Sequence, residues 1–142
     1  KKHLKFDEAV KYGEDTVFQV CAFPGAKNMI YISDKLYNYR YDRKNSLMFD
    51  SRRDESMRMN QHLNILKTIY DYWKKAGYLK RWGTVFVAFS CDFVGYDLIK
   101  YKGNDKKELI RQLFFMLDSI NANKRILRLP WEYKRIFLRL RF

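Results

Sequence analysis

The chain has 142 residues, of which 47% are hydrophobic, so it can bury one core and is too apolar for a disordered protein. Aromatic residues make up 18% of the sequence and only 6 glycines and 2 prolines occur, a balance that favours long helices over many turns. The net charge of +13 predicts attraction to polyanions, such as nucleic acid, anionic lipid or phosphorylated ligands.

The first fifty residues show a mixed pattern. Apolar residues recur at helical spacing from about residue 14 to residue 23, and the Pro-Gly pair that follows ends this helix. "NMIYI", Asn28–Ile32, is β-branched or aromatic and predicts a short strand. Weak alternation over Lys35–Asp42 indicates a second short strand.

From Asp54 onward the periodicity predicts about four helices. The first runs from about residue 54 to 76 and stops at Gly77, and the second runs from about residue 79 to 102. The third follows Asp105, which lies three residues before Glu108 as in a capping box, and the fourth begins near Pro130. A seam near residues 47–55 separates a domain 1–50 from a helical domain 51–142.

Two adjacent carboxylates, Glu14 and Asp15, open the first helix directly after Gly13. Acidic side chains in a first helical turn stabilise the helix by roughly 0.3–1 kcal/mol each, and structural acids outnumber catalytic ones. Helix initiation is therefore one interpretation of this pair, and its sequence context supports a second.

The motifs around the pair occur in a defined order. "FDE" at residues 6–8 precedes "GED" at 13–15, and the predicted strand is followed by "LYNYR" at 36–40 and a polar loop with Ser46. This ordered set resembles the end of the catalytic domain in family 2 glycosyltransferases of the GT-A fold. The resemblance covers roughly the first third of the chain. It implies a mainly α chain in which the tail end of a GT-A α/β domain, one helix and two short strands, precedes a helical bundle.

The resemblance also implies roles for four residues. Asp15 would be the base that takes the proton from an attacking acceptor hydroxyl, and Glu14 would orient the acceptor or Asp15. Gly13 would let the backbone pass close to substrate. Arg40 would counter the diphosphate charge of the leaving group, unless it is a surface arginine packed on a neighbouring tyrosine.

The donor-side half of such an enzyme is missing from the sequence. The chain has no Asp-x-Asp motif and no Gly-rich phosphate loop, so we expect no metal site here, although the family implies Mg²⁺ or Mn²⁺ for a full-length enzyme. We therefore expect a C-terminal fragment that is inactive alone. Its parent would move a sugar from a nucleotide-diphosphate sugar to a saccharide or lipid-linked acceptor, in bacterial surface polysaccharide synthesis.

The C-terminal segment 124–142 holds seven basic side chains and one acidic side chain, and its apolar residues share one helical face. One interpretation is a helix that attaches a cytoplasmic protein to the anionic inner face of a membrane. The other is a terminal helix docked on the bundle with its basic face in water. The apolar face comprises Ile126, Leu129, Tyr133, Ile136, Phe137 and Leu140, and the opposite face comprises Arg128, Arg135 and Arg139.

The remaining features have simpler interpretations. Cys21 and Cys91 lack metal-ligand spacing and are expected to be buried thiols in a reducing cytosol. The apolar stretch at residues 84–91 is too short for a membrane span and predicts a core helix. His62 is expected to pack on a helix, with metal binding a minor alternative. The alternative function is a basic helical module that binds nucleic acid or a protein partner. The lack of a recognisable nucleic-acid-binding motif in the sequence counts against nucleic acid.

Overall fold

A computed structural model describes residues 13–30, 32–34 and 54–142, and it confirms the mainly α class. Two 3₁₀ turns, Phe23–Gly25 and Ile126–Arg128, and a π turn, Cys91–Gly95, interrupt or connect the α-helices. The α-helices are α1 (Glu14–Ala22), α2 (Glu55–Ala76), α3 (Tyr78–Ser90), α4 (Tyr96–Lys100), α5 (Lys106–Ser119), α6 (Ala122–Arg125) and α7 (Trp131–Arg141).

The two predicted strands do not appear in the described part of the chain. Residues 28–30 and 32–34 have neither helical nor strand conformation, so Asn28–Ile32 shows no strand where it is described. The second predicted strand, Lys35–Asp42, lies outside the described residues. Of the expected end of a GT-A domain, only the helix at residues 14–22 is therefore shown.

Helix α2 begins and ends as its sequence predicts. The Asp54 carboxylate accepts a hydrogen bond of 2.8 Å from the Met57 backbone N–H, which satisfies one of the free donors of the first turn. Gly77 ends the helix with a φ of 77°, a left-handed conformation that suits glycine. Helix α2 contacts α1, α3 and α5, and so occupies the middle of the bundle.

The predicted second helix is continuous from Tyr78 to Lys100, but its middle is a π turn. Among the described residues, this is the one helix that is long enough and apolar enough to cross a membrane. Its apolar character also has a use in the bundle, because Phe86, Val87, Val94 and Leu98 are fully buried. The prediction that residues 84–91 form part of a core helix is confirmed, whereas the helix that contains them, at 23 residues, is longer than the apolar stretch that was judged too short for a membrane span.

The predicted capping box at the third helix is wrong. Asp105 makes no side-chain bond to the first turn of α5. Its carboxylate instead accepts hydrogen bonds from the Tyr101 hydroxyl, from Ser56 Oγ at 3.0 Å and from Asn60 Nδ2 at 3.1 Å. Asp105 therefore ties the start of α5 to the start of α2, a long-range role that local spacing does not reveal. Glu108 pairs along its own helix with Arg111.

Helix α7 is docked on the bundle through the apolar face expected from its sequence. Phe137 and Leu140 are buried, and Phe137 makes an edge contact with Phe114 of α5 at 5.2 Å between ring centres. The Tyr133 hydroxyl donates a hydrogen bond of 3.1 Å to Asp92 in the π turn. The face that was a candidate for lipid insertion thus forms part of the core.

Candidate carboxylate site on helix α1

Gly13 fixes the point at which α1 begins. Its φ of 77° is in the left-handed region, and a side chain at this position would put its Cβ 2.7 Å from Cδ1 of Ile65 in α2. The Val17 backbone N–H donates to the Gly13 carbonyl at 3.1 Å and opens the helix. Gly13 is therefore required by conformation and by its close approach to α2, a structural use beyond the substrate contact predicted for it.

Glu14 and Asp15 follow in the first turn of α1, and both are exposed. Oδ1 of Asp15 accepts a hydrogen bond of 2.7 Å from the Thr16 backbone N–H. This bond satisfies one of the free N–H donors of the first turn, and the negative charge complements the helix dipole there. An exposed carboxylate can still accept a proton from a hydroxyl group brought to it, so the position suits both interpretations of the pair.

The opposite side of α1 is anchored to the bundle. Val17 and Cys21 are buried in the same core as the long helices, and burial raises the pKa of the Cys21 thiol to about 11. Trp73 Nε1 of α2 donates a hydrogen bond of 3.0 Å to the Val20 carbonyl. The carboxylate pair thus lies on a helix that is attached to the bundle along its length, through Val17, Val20 and Cys21.

Both cysteines are buried and free, as predicted. Cys91 lies in the π turn, and burial together with the nearby Asp92 charge raises the pKa of its thiol to about 12. At neutral pH both side chains are protonated thiols, which makes them poor nucleophiles.

Several residues of the predicted site lie outside the described residues. These are Arg40, with the rest of "LYNYR", and the upstream "FDE" segment. The structure therefore brings together Gly13, Glu14 and Asp15 and gives no position for Arg40. Residues 35–53, which include most of the predicted domain seam, also lie outside it, while α1 shares its core with the helical region.

The described residues contain no group of three His, Cys, Asp or Glu side chains placed to hold a metal ion. The Mg²⁺ or Mn²⁺ implied by the family resemblance therefore has no matching ligands here. His62 packs against Phe93, with 4.9 Å between ring centres, in line with the packing role expected for it.

Two surfaces were not anticipated from the sequence. An open groove of about 590 Å³ lies between α2 and α5, where Phe115 is exposed beside Lys67 and Glu108. The outward side of α7 carries Trp131 and Leu138, also exposed. Trp131 and Leu138 are seven residues apart, a spacing that places both on one side of a helix. The sequence therefore contained evidence of this second apolar side, although only one apolar face was expected for the helix.

Comparison with known proteins gives no match: neither a protein-family model nor a curated protein nor a solved structure is similar to this chain.

Proposed function

We propose that this chain is the C-terminal portion of a family 2-like glycosyltransferase of bacterial surface polysaccharide synthesis. Its parent enzyme would transfer a sugar from a nucleotide-diphosphate sugar to a hydroxyl of a saccharide or lipid-linked acceptor. The supporting observation is the carboxylate pair, because Glu14 and Asp15 are exposed on one side of a helix whose other side is fixed to the bundle. A catalytic base needs both solvent access and a rigid support.

In the proposed reaction Asp15 is the general base. The acceptor oxygen attacks the anomeric carbon as the carboxylate takes the hydroxyl proton, and a new C–O bond forms. The bond from the anomeric carbon to the diphosphate oxygen breaks, and its electron pair leaves with the nucleotide diphosphate. Because attack and departure occur on opposite faces, the anomeric configuration inverts. Glu14 would position the acceptor hydroxyl or Asp15.

The donor side of the reaction is assigned to sequence upstream of this chain. Arg40 remains the proposed counter-charge for the departing diphosphate. The described residues offer no site for the divalent ion that the family resemblance implies, so no step here is routed through a metal.

The first test concerns the chain by itself. Isothermal titration calorimetry with a panel of nucleotide-diphosphate sugars should give no binding heat, because the residues expected to hold the nucleotide are absent. Tight binding of any of these donors to the 142-residue chain would contradict the assignment of the donor site to an upstream domain.

The second test uses the parent enzyme, and it compares Asp15→Asn with Glu132→Gln. Asparagine has a similar size to aspartate but cannot accept the proton, so turnover should fall by about a hundredfold or more while donor binding is retained. Glu132 is a matched control, since it is also an exposed acid in a first helical turn, that of α7. Full turnover by Asp15→Asn would exclude Asp15 as the base.

The alternative, a basic helical module for nucleic acid, has less support. Stacking on bases needs accessible rings, and the periodic aromatic residues Tyr70, Trp73 and Phe86 are buried in the core, so they give no evidence of such a site. Their helical spacing in the sequence is therefore explained by packing.

A further inference from the structure

The outward side of α7 carries a second apolar stripe, opposite the face that docks on the bundle. Trp131 is 65% exposed, Leu138 is 44% exposed and Phe142 is 99% exposed. Their spacing of seven and four residues places them on one side of the helix. Leu127, 70% exposed in the preceding 3₁₀ turn, adds a fourth apolar group to the segment. An apolar stripe on both sides of one helix is not needed for docking alone.

Cations surround this stripe, and they are not used inside the fold. Arg141 of the same segment is engaged, since it pairs with Asp118 at 2.9 Å. Within the described part of the chain no carboxylate lies in salt-bridge distance of the remaining arginines of α7 or of the turn before it. Glu132 is the one acid of segment 124–142. The cations of these two elements that have no carboxylate partner among the described residues are Arg128 in the 3₁₀ turn and Lys134, Arg135 and Arg139 in α7; the three arginines are exposed and Lys134 is half-exposed.

The basic, aromatic surface continues beyond α7. Tyr96 of α4 is 50% exposed, and the Lys100 ammonium lies 4.0 Å from the centre of its ring. A hydrogen bond and the charge of Lys100, with a smaller effect of the Arg135 charge, lower the pKa of the Tyr96 hydroxyl. Helix α4 contacts α7, so exposed Tyr96 adjoins the surface of α7.

We infer that the outward face of α7 docks on an anionic membrane surface. Trp131 and Leu138 would enter the interfacial region, while the arginines and Lys134 of this segment meet lipid phosphates. Tryptophan is suited to this position because its ring is apolar and its N–H remains able to bond water or headgroups. The mode differs from the membrane interpretation of the sequence, since the helix binds lipid with the opposite face and stays docked on its bundle.

The membrane is favoured over other anionic partners by the arrangement of the groups. On the outward face of α7 the apolar side chains form the middle of the stripe and the cations lie beside them. A membrane surface has the matching arrangement, since its anionic headgroups lie above an apolar interior. This inference is independent of the glycosyltransferase assignment, because it uses neither Glu14 nor Asp15. Vesicle binding and sugar transfer can therefore fail separately.

The test is flotation of the 142-residue chain with vesicles of phosphatidylcholine alone or with about 30% phosphatidylglycerol. Binding should require the anionic lipid and weaken as salt is added, because the attraction is screened. Replacing Arg128, Arg135 and Arg139 by Glu should lower the partition coefficient by at least roughly fivefold for each arginine. The control reverses three exposed cations on other elements, Lys75, Lys80 and Lys107, and should retain most of the binding.

A second pair of variants separates insertion from simple charge attraction. Trp131→Ser with Leu138→Ser keeps every charge and should still reduce binding severalfold, whereas Phe115→Ser, at an exposed phenylalanine of α5, should not. Brominated lipid should quench tryptophan fluorescence of the unmodified chain, and Trp131→Phe should remove most of this quenching. Circular dichroism checks that each variant remains helical.

Four results would overturn the inference. These are no flotation with anionic vesicles, equal flotation with neutral vesicles, equal loss in the control charge reversals, and quenching that persists in Trp131→Phe. Preferential binding to a single-stranded oligonucleotide, with no binding to vesicles, would assign the face to nucleic acid instead.

Discussion

The imidazole of His62 lies between α2 and the π turn, against the ring of Phe93. Its Nδ1 atom is buried and has no hydrogen-bond partner in the described part of the chain. Burial, assisted by the charge of Arg58 and opposed by that of Asp97, lowers the pKa of His62 below its ordinary value of 6.5. The folded protein thus resists protonation of this side chain.

This shift predicts a loss of stability in mild acid. Below the ordinary pKa the unfolded chain binds a proton that the folded chain does not, so the free energy of unfolding should fall as the pH drops from about 7.5 to about 5.5. His62→Gln cannot take up that proton and should show a smaller fall. Urea unfolding at the two pH values measures the difference. An unchanged pH dependence in the variant would show that His62 is not responsible.

Gly13 and Asp105 show how residue-level prediction succeeds and fails. The "GED" spacing correctly placed a helix start after Gly13, because glycine tolerates the left-handed conformation and acids suit a first turn. The spacing of Asp105 and Glu108 suggested a local cap, yet Asp105 bonds to Ser56 and Asn60 of α2. Partners some 45 residues away cannot be read from a four-residue motif.

At the scale of elements, the contact between the π turn and α7 offers a test of helix packing. A Cβ added to Gly95 would lie 2.9 Å from Cγ2 of Ile136 and 3.2 Å from Cδ1 of Leu140. The absence of a side chain at Gly95 therefore permits α7 to approach the π turn closely.

Gly95→Ala should destabilise the protein by about 1–3 kcal/mol, even though alanine forms helix better than glycine. The steric cost should shrink when Ile136→Ala removes the nearest methyl group, so the double variant should lose less than the sum of the two single changes. Chemical unfolding of the four proteins gives this coupling. Strict additivity would contradict the proposed contact.

Long helices were the most predictable elements. The periodic apolar residues, the cap at Asp54 and the stop at Gly77 define α2 almost to the residue. The π turn was not predictable, because one extra residue in a helical turn hardly changes the apolar pattern of the sequence. The extra residue nevertheless changes the side of the helix on which all later residues lie. This is one reason why Phe86, before the π turn, is buried and Tyr96, directly after it, is exposed.

At the scale of the whole molecule, the high positive charge has a local explanation. The fold uses Arg125 and Arg141 internally, since Arg125 donates to the Ile120 and Leu79 carbonyls and Arg141 pairs with Asp118. Of the other cations of segment 124–142, Arg135 and Arg139 are exposed on the same helix as Trp131 and Leu138. The amino-acid composition predicted a polyanionic partner. Which surface could bind it, the outward side of α7, became clear only from the fold.

The candidate site was only partly predictable for a related reason. The sequence indicated which residues could carry the chemistry, but exposure of Asp15 depends on how α1 packs on α2. The opposing interpretations of the pair, structural and catalytic, also share the same position at a helix start. The two interpretations differ in what they predict for turnover.

The most direct measurement records turnover and unfolding free energy together for the parent enzyme and its Asp15→Asn variant. If Asp15 is the base, turnover falls by about a hundredfold or more while stability changes by less than about 1 kcal/mol, the ordinary effect of one acid in a first turn. If the carboxylate only stabilises α1, the variant loses a little stability and keeps its turnover, and the proposed role of Asp15 is wrong.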